Sequence, residues 1–184
     1  LKAGGPTKSG HLTPAVITTL PSNCTTKEEV LANAWQSRHV LSTGVHGILH
    51  THSRTAEAVA TFVATCRYPF QKLGSGVIPE GLRGAGGQRE PAEIWEMSPG
   101  EYVQKADPWP LNPDGELFLG LKIEDRHCVE NVDEIAAVPG ISFAEWGPGD
   151  MGMSYELPDA HDPPYPPEMD LAREKIKSAL KKND

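Results

Sequence analysis

Residues 117–123, Leu-Phe-Leu-Gly-Leu-Lys-Ile, are apolar almost throughout and lack the in–out alternation of a strand with one wet face. A short run of this kind reads as a strand covered on both faces, the condition of a parallel sheet. Parallel neighbours cannot be joined by a hairpin, so each needs a long crossover, usually a helix packed on the sheet. The rest of the chain supplies such units. Ala15-Val16-Ile17-Thr18-Thr19-Leu20 is rich in β-branched residues and reads as a buried strand stopped by Pro21. Thr26-Lys27-Glu28-Glu29 has the form of a capping box, with Thr26 as cap and Glu29 reaching back. The helix it opens carries Val30, Ala34 and Leu41 on one stripe and ends before Gly44. Residues 47–52 read as a second strand, followed by a helix striped with Val59, Phe62, Val63 and Cys66 and closed by Pro69. After the 117–123 strand come a short helix over 128–138, a fourth strand over 141–146 and a charged final helix over 168–182.

Two stretches interrupt this rhythm. Residues 71–115 are rich in Gly and Pro with little periodicity and read as one long rim loop, and residues 159–167 form a Pro-rich loop. The alternation of strand and helix suits both a Rossmann-type sheet and a (β/α)₈ barrel. Arg83-Gly84-Ala85-Gly86-Gly87 follows no strand and opens no helix, so the dinucleotide fingerprint is missing and the barrel is favoured. A full barrel takes about 250 residues. With 184 residues and four clear strands, the expectation is a single α/β domain over residues 1–184, of (β/α)₈ TIM-barrel type and incomplete, its N- and C-terminal barrel strands missing. Open sheet edges are normally paired or covered. The chain is therefore expected to continue beyond these residues or to close its barrel as a homo-oligomer.

Charge and composition exclude some classes. A formal net charge of −8 leaves no basic surface for phosphates in bulk, so nucleic acid is not expected as a partner. No window approaches the ~18 apolar residues of a membrane span. The opening Leu1-Lys2-Ala3-Gly4-Gly5 lacks an initiator Met and an apolar h-region, which reads as a processed or partial chain without a signal peptide. Cys24, Cys66 and Cys128 are an odd, scattered set and read as reduced thiols of a cytoplasmic protein.

Glu124 ends one strand and Asp150 follows the end of the next, one strand–helix repeat apart. In a parallel barrel both carboxylates then stand on the C-terminal rim, where such folds keep their active sites. Two carboxylates with waters and a bidentate oxygen ligand suit Mg²⁺ or a similar hard divalent ion. Spacing alone leaves a second reading open, in which Glu124 caps the following helix and Asp150 caps a turn.

Leu121-Lys122-Ile123-Glu124, the stretch from Val129 to Gly140, and Trp146-Gly147-Pro148-Gly149-Asp150 resemble the HpcH/HpaI aldolase family, relatives of the citrate lyase β superfamily. Arg54-Thr55-Ala56-Glu57, Arg67-Tyr68-Pro69 and Arg83-Gly84 are similar to the same family, and the likeness covers residues 15–154. The resemblance implies a class II lyase that makes or breaks a carbon–carbon bond through a pyruvate enolate, acting on small 2-oxo acids and aldehydes. It implies a divalent ion held by Glu124 and Asp150, Mg²⁺ first, with Mn²⁺ or Co²⁺ as alternatives. The Gly147-Pro148-Gly149 turn would offer backbone N–H groups to the substrate carboxylate, and Lys122 and Arg83 are further candidates for binding substrate. Within the same superfamily an acyl-CoA lyase of the citrate or malyl type is the other enzyme reading, though no basic groove for the nucleotide is visible. A catalytically inactive metal-binding fragment acting through assembly is the reading from another class.

The chain also departs from the family. The family's catalytic His lies in an Asp-x-Glu-His-like stretch that would fall upstream of residue 1. Many members carry an Arg where Thr18 and Thr19 stand, and a Gln where Lys122 stands. His50 and His52, two apart, are expected on one face of a strand, and His52 near the rim is a substitute candidate for the base. His11 reads as a loop residue and His161 as part of a mobile lid. Trp95, Trp109 and Trp146 read as packing residues, whereas Tyr102 and Asp107-Pro108-Trp109-Pro110 are candidates for a loop covering the mouth.

Overall fold

The computed structural model describes residues 6–183; the opening Leu1-Lys2-Ala3-Gly4-Gly5 lies outside the described residues. The first strand, β1 (Ile17–Asn23), runs through Pro21 rather than stopping there. Its register with the next strand slips between Thr19 and Asn23, so the missing N–H of Pro21 falls where the ladder is already irregular. Thr26 caps the following helix by accepting the Glu29 N–H at 3.2 Å. The Glu29 carboxylate does not reach back to the cap; it accepts the Thr25 hydroxyl instead. The single helix expected here is two, α1 (Lys27–Ala32) and α2 (Ala34–Ser42), broken at Asn33. The Asn33 amide donates to the Glu29 carbonyl at 2.9 Å, the kind of local bond by which Asn competes with helical geometry.

Strand β2 (Gly47–Thr51) leads to α3 (Ala56–Thr65), which Thr55 caps by accepting the Ala58 N–H at 3.1 Å. Every residue of α3 from Ala58 onward is buried, because the helix is wedged between the sheet and the outer helices. Residues 71–115, expected as one long rim loop, instead carry α4 (Arg89–Ile94), α5 (Pro99–Lys105) and the two-residue strand β3 (Pro108–Trp109). The start of α5 is a full capping box between Ser98 and Glu101, with Pro99 at the first helical position.

Strand β4 (Leu117–Ile123) is the centre of the sheet. The helix expected after it is again two, α6 (Arg126–Glu130) and α7 (Val132–Ala136), divided at Asn131, whose amide donates to the Arg54 carbonyl at 2.9 Å. Strand β5 (Phe143–Trp146), α8 (Pro148–Ser154) and α9 (Pro167–Lys181) complete the described elements.

All strand pairings are parallel, with β1 on β2 and β2 on β4. Strands β3 and β5 both pair with β4, β3 at its first residues and β5 along its second half. With the two-residue β3 set aside, the neighbours β1, β2, β4 and β5 follow chain order, as in a barrel of TIM type; β3 lies on the β5 side of β4 rather than between β2 and β4. Leu119, Leu121 and Ile123 are buried beneath the helices with Phe62, Val59 and Ile135, which forms the core. On the other face Ile17, Gly47 and Phe118 lie in register, as do Leu49, Gly120 and Phe143, and above them Lys122 and Glu145. This concave face is only partly covered: Phe118 is 39% exposed, so β4 is not buried on both faces as its sequence suggested. No helix among the described residues is long and apolar enough to cross a membrane.

Candidate metal centre

Glu124 is the first residue beyond β4 and is fully buried. One carboxylate oxygen, Oε1, accepts the backbone N–H of His52 at 3.1 Å. The other, Oε2, has no hydrogen bond, although the Lys122 ammonium lies 3.1 Å away as an ion pair outside hydrogen-bond alignment. Lys122 thus offsets part of the charge of this buried oxygen, while its hydrogen-bonding capacity is left unfilled and open to a further cation. Gly147 packs directly on this carboxylate; a Cβ there would fall 2.7 Å from Oε2. Any side chain at that position would fill the space beside the open oxygen.

Asp150 stands in the first turn of α8, where the Gly-Pro-Gly-Asp sequence had been expected to form only a turn. Pro148 at the first helical position was the signal for a helix start, since its fixed φ suits that place. Lys122 reaches the same space from β4. Burial acts to lower its pKa, but the carboxylates of Glu124, Glu145 and Asp150 outweigh it and raise the ammonium above its ordinary value.

His50 and His52 do not share a face. His50 is 2% exposed and turns toward α3, its ring 4.7 Å from that of Phe62. Burial lowers its pKa to about 4. His52 lies just past the end of β2, in the left-handed region with φ 48°, which ends the alternation and turns its ring toward the rim. Its Nδ1 is 3.0 Å from Asp125 Oδ2, and its Nε2 is 3.8 Å from Glu124 Oε1. Asp125 also accepts from Arg54 Nε at 2.9 Å and from the Cys128 N–H at 2.9 Å, as the cap of α6. Burial works to raise the Asp125 carboxyl, yet these donors hold it down to about 2. Sequence reading passed over Asp125, although an Asp three residues before the first buried positions of a helix is an N-cap signal.

His52, Glu124 and Asp150 each offer a ligand atom, all within 4.8 Å of one another. Two ligands of one Mg²⁺-sized ion are at most about 4.2 Å apart, twice the ~2.1 Å bond. Asp150 is exposed and free to close the difference. A cleft of about 450 Å³ opens over Asp150, His52 and Arg54. The open Glu124 oxygen, the Gly147 cradle and this donor set fit a divalent ion.

The other candidates lie elsewhere. Arg83 is buried between two tyrosines, its guanidinium 4.3 Å from the Tyr68 ring and donating to the Tyr102 hydroxyl at 3.0 Å. Its backbone N–H bonds to the Arg67 carbonyl, just past the C-terminal end of α3. Because α3 descends from the rim, that is the opposite end of the sheet from Glu124, and Arg83 is not brought to the cleft. Tyr102 is fully buried, and Asp107 forms a buried two-pronged ion pair with Arg67 at 2.6 and 3.1 Å, so neither belongs to a loop over the mouth. Strand β3 meets β4 at Leu117 and Phe118, also away from the rim. His46 stacks on Trp95, and His11 and His161 pair with Glu96 and Asp162.

A parallel strand–helix sheet of barrel type, with a carboxylate and histidine cluster at adjacent strand ends, is the class of structure these residues define. Within that class the chain belongs to the HpcH/HpaI aldolase/citrate lyase family, whose sequence profile matches residues 25–184. It is similar to a hydroxypyruvate/pyruvate aldolase of Deinococcus radiodurans, 32% identical over 117 residues, which are 64% of this chain and 36% of that one. A protein of the same description from Chromohalobacter salexigens is 32% identical over 129 residues, 70% of this chain and 43% of the relative. The chain thus spans less than half the length of these curated relatives. In fold it resembles a crystal structure of an HpcH/HpaI aldolase/citrate lyase family protein from Burkholderia cenocepacia, with a TM-score of 0.68 at 22% identity, covering 91% of this chain and 55% of the other.

Proposed function

We propose that this chain carries the metal- and substrate-holding part of a class II aldolase acting on a small 2-oxo acid and an aldehyde. The observation that carries the reading is the buried Glu124 carboxylate, one oxygen open beside Gly147 and facing Asp150 from the neighbouring strand end. Glu124 and Asp150 would hold the divalent ion, Mg²⁺ or alternatively Mn²⁺ or Co²⁺. Bound there, the ion would serve as a Lewis acid for the keto oxygen of a pyruvate-like substrate. Lys122, with its raised pKa, stays protonated and supplies a second positive charge for the substrate's carboxylate or developing oxyanion. Gly147 and Gly149 flank the entry to α8 without side chains; the Gly147 N–H is taken by the Ile123 carbonyl and Pro148 has none, so of this turn only the Gly149 N–H, in the first turn of the helix, is left for the substrate. In cleavage a base would take the substrate hydroxyl proton, the carbon bearing that oxygen would become the aldehyde, and the electron pair of the broken carbon–carbon bond would pass to the 2-oxo acid enolate.

The relatives named as hydroxypyruvate/pyruvate aldolases support this substrate class. The exposed edges of β1 and β5 support a homo-oligomer. Three buried, unpaired cysteines support a reducing, cytoplasmic setting. The test is solvent exchange of the pyruvate methyl protons, followed by NMR with Mg²⁺, Mn²⁺ or EDTA. Exchange that needs the metal and disappears in both Glu124→Gln and Asp150→Asn is expected. Exchange that survives the double substitution unchanged would reduce the two carboxylates to caps.

A further inference from the structure

We propose that His52 is a third protein ligand of the metal at Glu124 and Asp150, oriented for that task by an Asp125–Arg54 relay. The inference rests on the metal reading of the two carboxylates and adds to it a nitrogen donor, and with it a preference among metals.

The geometry is that of a histidine whose two ring nitrogens have separate tasks. Asp125 is fixed on three sides, by Arg54 Nε, by the Cys128 N–H and by His52 Nδ1. A carboxylate held by a guanidinium and an amide can only accept, so Nδ1 must be the protonated nitrogen of the ring. In the neutral ring the lone pair then lies on Nε2, the nitrogen nearer Glu124 at 3.8 Å. Metal-ligating histidines are commonly prepared in this way, with the remote N–H given to a carboxylate that fixes tautomer and ring orientation.

The backbone supports the same conclusion. His52 is one of three non-glycine residues with positive φ among the described residues, at 48°. An extended continuation of β2 would have carried its side chain on the sheet's alternating pattern. The left-handed turn instead lets the His52 N–H bind Glu124 Oε1 while its ring reaches Asp125 and the cleft. Strain of this kind persists where surrounding contacts impose it, and here those contacts all belong to one cluster. A plain core histidine would be covered as His50 is, whereas the His52 side chain remains 26% exposed beside the exposed Asp150.

A site with one imidazole and two carboxylates favours Mn²⁺, Co²⁺ or Zn²⁺ over Mg²⁺, which prefers oxygen donors alone. The decisive measurement is electron spin echo envelope modulation of the full chain loaded with Mn²⁺, which detects a ligating nitrogen directly and requires no turnover. Nitrogen modulation is expected in the unmodified protein and expected to vanish in His52→Gln while Mn²⁺ remains bound. In parallel, equilibrium titration of His52→Gln should show Co²⁺ affinity reduced by at least the ~10-fold that losing even an outer-shell partner costs, with Mg²⁺ affinity little changed. Asp125→Asn should weaken Co²⁺ by roughly 10–100-fold through the loss of orientation. Mn²⁺ that binds through Glu124 and Asp150 without nitrogen modulation overturns the role of His52 and leaves the carboxylate pair standing. If Mn²⁺ does not bind at all, and Glu124→Gln makes no difference, both readings are overturned together.

Discussion

His50 and Lys122 show how one residue type can be read in opposite ways by its surroundings. His50 sits in the core with Nδ1 unpartnered, and burial lowers its pKa to about 4 from the usual ~6.5. Between those two values the unfolded chain binds a proton that the native chain does not, so stability rises with pH across the window. Stability is fully present above pH ~6.5 and falls as the pH drops toward 4, by about 3 kcal/mol in all. His50→Phe, which keeps a ring against Phe62, should flatten this slope; urea titrations at pH 7 and 4.5 measure it. A slope that is unchanged in the variant would assign the acid sensitivity to other groups. Lys122 is the reverse case, a charge kept at the rim by three carboxylates. A divalent ion at Glu124 would have to compete with this ammonium, so Lys122→Gln should bind Mn²⁺ roughly tenfold more tightly through lost repulsion. The same variant should raise KM for the 2-oxo acid, because the substrate loses its second positive contact. Isothermal titration of metal alone, set beside exchange kinetics against pyruvate concentration, separates the two effects.

At the scale of elements, what the sequence made legible was what is local. The strand ends at Ile123 and Trp146, the cap at Thr26 and the start of α3 all follow from residues within a few positions of one another. The segment 71–115 misled because its elements are short and are stabilised by distant partners. Arg67 ties the end of α3 to Asp107 across forty positions, and Arg83 is held by Tyr68 and Tyr102. That Glu124 and Asp150 come together was legible from strand-end spacing, but the relay from His52 to Asp125 and Arg54 was not, since it depends on a left-handed residue joining two strand ends. Gly120 illustrates the same dependence. A Cβ there would lie 2.2 Å from the Phe143 ring, so Gly120→Ala forces that ring, or the strand that carries it, to shift. Overpacking of this kind costs about 1–3 kcal/mol. It should also weaken Mn²⁺ binding, because β5 carries Gly147 and Asp150 to the site. Adding Phe143→Leu should restore part of both losses, a coupling that a double-mutant cycle in urea and in metal affinity reveals.

Across the whole molecule the concave face of the sheet is divided in two. Its C-terminal end is charged, with Lys122, Glu145 and the Glu124 cluster, while its N-terminal layer is apolar, with Ile17 43% and Phe118 39% exposed in register across β1, β2 and β4. Trp109, 43% exposed and 6.1 Å from the Phe118 ring, extends that layer. Apolar side chains aligned on a sheet face, beside strand edges with free N–H and C=O groups, favour association over solvation. Chain 1–184 is therefore expected to sediment as a species larger than a monomer, with a Tm that rises with protein concentration, as mass action requires of a coupled assembly. Replacing Ile17 and Phe118 together by Lys should shift sedimentation to the monomer and remove the concentration dependence. The charged end of the face lies away from these positions, so Mn²⁺ affinity should change little. A single monomeric boundary for the unmodified chain at every concentration would mean that the apolar layer is tolerated in water. In that case the edges of β1 and β5, rather than the face, would be left as the surfaces through which copies of this chain could meet.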